Sequence, residues 1–132
     1  METPYVPPGF RIVTPYLTVK GAEELLAFMK RVFEAEELAC HREGGIIVNA
    51  AVRIGDSTIE LSEATNEWRA MPSALHVYVA DCDATHARAV AAGATVLHGP
   101  MDQEYGERSS AVRDIAGNNW YIATHIRKPR GT

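Results

Sequence analysis

The chain has 132 residues, 46% hydrophobic and 23% charged, the make-up of one soluble globular domain with a core of its own. Disorder, collagen and coiled coil are excluded as readings of the whole chain. The net charge of -4 argues against a general nucleic-acid binder, which carries a basic surplus, and no apolar run approaches the roughly 18 residues of a membrane span. Two cysteines, Cys40 and Cys82, make no disulfide framework, and Met1 to Gly9 holds three prolines and no apolar leader, so free thiols in the cytoplasm are expected.

A short strand around Leu17 and Val19 opens the pattern. A helix is predicted over about Ala22 to Glu34, with Leu25, Leu26, Phe28, Met29, Val32 and Phe33 at helical spacing. Strands follow at Glu37 to His41, Ile46 to Ile54 and Ser57 to Ser62, with Gly44-Gly45 and Gly55-Asp56 as hairpin turns. Ala64 to Ser73 reads as a polar linker closed by Pro72. A strand from Ala74 to Val79 leads into a second helix, about Ala84 to Ala92. Asp81 or Asp83 suits its N-cap and Gly93 the left-handed residue after its end. Then come strands at Thr95 to His98, Ser109 to Arg113 and Asn119 to His125, with a turn at Ala116-Gly117-Asn118. Gly99 to Arg108 is predicted to be a long loop, with Asp102 to Arg108 a candidate lid over the cleft. The tail Arg127 to Arg130 is basic and expected to fray.

The two halves repeat as a pattern. From Leu17 to Val77 the offset is 60 residues, and the same offset carries Gly21 onto Asp81 and Arg53 onto Arg113. Each half reads β-α-β-β-β. Period-2 alternation puts Leu17 and Val19 on one strand face and Thr14, Tyr16 and Thr18 on the other. In the second half Leu75, Val77 and Val79 oppose Ala74, His76 and Tyr78. Glu60 likewise lies opposite Ile59 and Leu61, and Tyr121 opposite Trp120 and Ile122. The aliphatic faces suit the helices, and the polar-aromatic faces suit the wall of a ligand cleft.

The chain resembles the vicinal oxygen chelate superfamily, which includes glyoxalase, bleomycin-resistance and extradiol dioxygenase proteins, and within it the PhnB-like branch. The carrying segments are Thr14 to Gly21, Arg53 to Ser57, Leu75 to Val79 with Asp81-x-Asp83, Ala91 to Thr95, Asp102 to Arg108, and Val112-Arg-Asp-x-x-Gly-Asn-x-Trp120. The resemblance covers nearly all of Phe10 to His125. It implies an α+β fold of two βαβββ modules, about 10–63 and 72–126, whose curled mixed sheets surround a cleft, usually in a homodimer. It also implies four cleft-facing positions for metal ligands, falling near Thr14, Glu60, Ala74 and Tyr121. Only Glu60 is a ligand type there, with His76 two residues past Ala74, and Asn49 stands where relatives often place a His. One carboxylate and one imidazole fall short of the three protein ligands a catalytic metal needs, so no metal and no cofactor are expected.

The candidate ligand-binding residues are therefore Tyr16, Asn49, Glu60, His76, Tyr78 and Tyr121. They point to a metal-free protein sequestering an aromatic or cationic small molecule, by tyrosine stacking and the charge of Glu60. The alternative is a glyoxalase-type lyase, isomerase or dioxygenase, using a metal or Glu60 and His76 as acid and base. Cys82 and His86 are four apart at a helix start but lack two further ligands for a metal. Cys40 and His41 point to opposite strand faces and make no dyad.

Overall fold

The computed structural model describes residues 4–127, so Lys128 to Arg130 of the basic tail lie outside them. Strand β1 (Tyr16–Val19) buries Leu17 and Val19 and leaves Tyr16 open. Helix α1 (Ala22–Phe33) buries all six side chains of its apolar stripe. It stops at Glu34, which takes a left-handed conformation (φ 55°) and returns its N–H to the Met29 carbonyl. Strands β2 (Glu36–Glu43), β3 (Ile46–Ile54) and β4 (Ser57–Glu63) form an antiparallel meander. β1 pairs parallel to β4 with Tyr16 opposite Glu60, giving the order β1-β4-β3-β2.

The second module repeats the first. Strand β5 (Ala74–Tyr78) precedes helix α2 (Cys82–Ala91), then β6 (Thr95–Gln103), β7 (Glu107–Arg113) and β8 (Asn119–His125), in the order β5-β8-β7-β6. Here His76 stands opposite Tyr121. The paired mixed sheets form no closed barrel, because β1 and β5 belong to separate sheets.

Both helices are capped by the last strand of their own module. Gly21 begins α1 with φ +91° and no side chain to offer. The Glu63 carboxylate at the end of β4 instead accepts the N–H groups of Gly21 and Ala22 at 2.9 to 3.2 Å. In the second module Asp81 accepts the Ala84 N–H, as expected of a cap, and Thr124 on β8 accepts that of Cys82 at 3.0 Å. That extra bond starts α2 two residues before the predicted Ala84. Replacing Glu63 by Ala is expected to cost about 1–2 kcal/mol, a cap lost beside a helix dipole. Urea unfolding measures it; a change under about 0.3 kcal/mol would show that water caps the helix equally well.

The modules meet through their helices and Trp120. The Phe33 and Trp120 rings lie 4.6 Å apart, and Arg88 of α2 donates Nε to the Val32 carbonyl of α1 at 3.2 Å. Trp120 is fully buried, and its Nε1 donates to Asp114 at 2.7 Å. Asp114, itself buried, also accepts the N–H groups of Ala116 and Asn118 and the Asn118 side-chain amide.

Two connections differ from the sequence reading. Gly99 to Arg108 is no open lid. β6 continues through it to Gln103, β7 starts at Glu107, and only a tight turn joins them. Arg108 holds the hairpin by binding Asp83 and Asp102, while Glu107 and Ser109 are buried. The linker 64–73 is more than a tether: Ala64 and Met71 donate backbone N–H groups to Val19 and Thr18 of β1. No helix among the described residues is long and apolar enough to cross a membrane.

Candidate functional site

The parted edges of β1 and β5 border a cavity of about 970 Å³. Its floor is the end of α1 (Val32, Phe33) and the first turns of α2 (Ala84, Thr85, Arg88), and the β3–β4 turn closes one side. The sequence reading had the polar faces alone as the cleft wall. Leu17, Leu75 and Val77 line the cavity too, because an unpaired strand edge exposes both its faces to the gap, and Trp120 reaches it from β8. Glu34, Asp56 and Asp81 are among its lining residues, and the Arg88 guanidinium is committed to Val32 and to the Thr85 hydroxyl.

Of the six expected ligand-binding residues, Tyr16, His76 and Tyr78 line this cavity. Asn49, Glu60 and Tyr121 do not. The first two stand behind Tyr16. Asn49 Nδ2 lies 3.4 Å from Tyr16 Oη and 3.3 Å from Glu60 Oε1, so one amide ties the phenol to the carboxylate. Glu60 thus accepts from Asn49 and lies off the cavity lining. Tyr121 pairs across the strands with His76, one strand further from the edge.

The second module builds a matching array. His76 Nε2 lies 3.3 Å from Glu107 Oε2, and the His76 ring lies tilted at 46° against Tyr78 with centroids 4.6 Å apart. Glu107 is buried and His76 is open to the cavity side. The acid partner of His76 is therefore Glu107, where the sequence reading paired it with Glu60. Glu107 was missed because its segment read as a loop. Period-2 alternation carried back from Ala111 and Ser109 puts it on the His76 face.

The residues at the four expected metal positions do not fit a metal. The Thr14 hydroxyl donates to the Arg11 carbonyl, Ala74 has no donor atom and Tyr121 offers only a phenol, which leaves Glu60 as the one carboxylate of the set. Among the described residues no three His, Cys, Asp or Glu side chains come together. Cys82 and His86 are engaged separately: Cys82 Sγ donates to the Ile122 carbonyl, and His86 Nδ1 meets the buried Ser110 hydroxyl at 2.9 Å.

Burial raises the Cys82 thiol and lowers the His86 imidazole. For His86 the unfolded chain binds the proton first as pH falls. Its contribution is whole above the unfolded value, about 6.5, and is lost below it toward the lower folded value. The Tm is expected to fall between pH 7 and 5, and less steeply in His86→Asn. Equal slopes in both proteins, read by thermal melts, would remove His86 from the acid response.

The family model described as the glyoxalase/bleomycin resistance protein/dioxygenase superfamily matches residues 11–122. The chain belongs to that superfamily. An uncharacterized protein of Mycobacterium bovis is 30% identical over 128 residues, covering 88% of this chain and 84% of its own length. Among solved structures, TioX from Micromonospora sp. ML1 superposes with a TM-score of 0.71 at 21% identity, over 86% of this chain and 99% of that one. The fosfomycin resistance protein FosX from Mesorhizobium loti gives 0.63 at 19%, over 88% and 92%. At such identities the superfamily structures share the fold with this chain.

Proposed function

We propose that the chain is a metal-free small-molecule-binding protein of the superfamily's PhnB-like branch, acting as a cytoplasmic homodimer that sequesters an aromatic or cationic compound. The observation that carries this is the cavity of about 970 Å³ with Tyr16, His76 and Tyr78 along it, each ring in reach of a flat ligand. That volume matches a drug-sized molecule. The three rings support an aromatic ligand, while Glu60, the carboxylate expected to attract a cation, lies off the lining. FosX, by its name a fosfomycin resistance protein, has the same fold.

Titration with 2-naphthamide and with the planar cation acriflavine, followed by calorimetry, tests the proposal. Saturable binding is expected, weakened about 3- to 10-fold by Tyr78→Ala and unchanged by Tyr105→Ala, a tyrosine outside the cavity. Absent binding, or equal losses in both variants, would overturn it.

The alternative, an acid/base enzyme of the lyase or isomerase type, has one supporting observation. A buried carboxylate beside an open imidazole is how a general base is oriented. Solvent deuterium entering the methyl group of pyruvate, read by proton NMR, checks it. Incorporation that both His76→Gln and Glu107→Gln abolish would favour the enzyme; incorporation that survives in both variants would remove the pair from the chemistry.

A further inference from the structure

A second, smaller depression of about 330 Å³ adjoins the cavity, and Ser73 and Ala74 line both. The other walls are Pro72, Arg113, Gly117 and Asn119. None of these is acidic. Three side chains there carry donors with no acceptor among the described residues: Arg113 with its two amino nitrogens, Asn119 with its amide and Ser73 with its hydroxyl. Arg113 Nε is fixed by donating to Asn119 Oδ1 at 3.1 Å, which holds the guanidinium plane in place. Arg113 forms no ion pair among the described residues. Its repeat equivalent, Arg53, is neutralised by Glu36. The floor is open as well: Ala74 has the smallest chiral side chain, and a Cβ at Gly117 would meet nothing within 4 Å.

We infer that this depression is an anion subsite, taking the carboxylate or phosphoryl group of a ligand whose ring lies in the main cavity. The inference rests on the binding function proposed above and narrows its ligand to an aromatic acid. Strand register supplies the geometry. Ala74, Asn119 and Arg113 form one cross-strand row, and His76, Tyr121 and Ala111 form the next. Rows on one face are about 7 Å apart and neighbouring strands about 4.8 Å; the Nε bond to Asn119 draws the guanidinium over β8, one strand from β5, so its span from His76 is about 8–9 Å, the length of a bicyclic ring with its acidic group. A ring against His76 and Tyr78 thus places an acidic group at Arg113. A planar guanidinium with two free amino groups suits the paired oxygens of either acid.

Calorimetry with 2-naphthoate, 2-naphthyl phosphate and the neutral 2-naphthamide tests this, together with the effect of inorganic phosphate on the amide resonances of Gly117 and Asn119. At least one acid is expected to bind about tenfold or more tightly than the amide, and the tighter acid names the group. Arg113→Met should erase the preference and leave the amide affinity unchanged. Added salt should shrink it, as for a partly exposed charge pair. Equal affinities for all three arenes, unchanged in Arg113→Met, would overturn the subsite and leave the cavity standing. If no arene binds yet phosphate still shifts those amides in an Arg113-dependent way, the cavity proposal falls and the anion site stands. With neither response, both fall.

Discussion

Trp120→Ala is expected to cost about 3–5 kcal/mol of stability, the usual range for emptying a large aromatic site in a core. The indole is fully buried, lies 4.6 Å from Phe33 of the other module, and satisfies Asp114. Its loss opens a void where the two modules meet and removes a donor from a buried carboxylate. The control is Trp68→Ala, at a residue 70% exposed, which should stay within about 0.5 kcal/mol. Urea unfolding followed by circular dichroism separates them. A Trp120→Ala loss under about 1 kcal/mol would mean that the modules collapse freely into the gap.

The second large effect belongs to Asp114. Asp114→Ala leaves two backbone N–H groups, at Ala116 and Asn118, and the Trp120 indole N–H without their acceptor in a buried site. An orphaned buried donor costs about 1–3 kcal/mol, so a loss of about 3 kcal/mol or more is expected. A double-mutant cycle with Trp120→Phe isolates the indole bond. The pair should be non-additive, because the bond is already gone in either single variant. Strict additivity would mean that the 2.7 Å bond contributes nothing beyond its parts. Both variants also bear on function, since Trp120 lines the cavity and Asn118 Oδ1 accepts the Ser73 backbone N–H.

The modules were legible because local pattern carries them. The stripe of α1 needs only its period, and the alternation of Leu17 and Val19 against Tyr16 assigns the faces of β1 correctly. Asp81 as a cap and Gly93 in a left-handed conformation are one-residue signals. What escaped depends on distant partners. Glu63 and Thr124 look like ordinary strand-end residues until the chain brings them to a helix start. Glu107 sits in a polar run, and its strand character comes from pairing with Gln103 and His125. The site was half legible for the same reason. Alternation found Tyr16, His76 and Tyr78, while the position of the cavity follows from β1 and β5 not pairing, which no local pattern records.

The strand-to-helix caps bear on how the chain reaches this structure. In each module the capping bond spans 42 residues, Gly21 to Glu63 and Cys82 to Thr124. The β2–β3–β4 and β6–β7–β8 meanders close short hairpins, which are fast to form. The parallel pairing of the opening strand, and the cap with it, must wait until almost the whole module is in place, when the entropy of the long closure is met. Each cap is thus a late latch, and the two modules carry latches of the same length. The amide hydrogens of Gly21 and Cys82 would then mark the moment when each half becomes a cooperative unit, and their exchange rates would compare the two halves within one molecule.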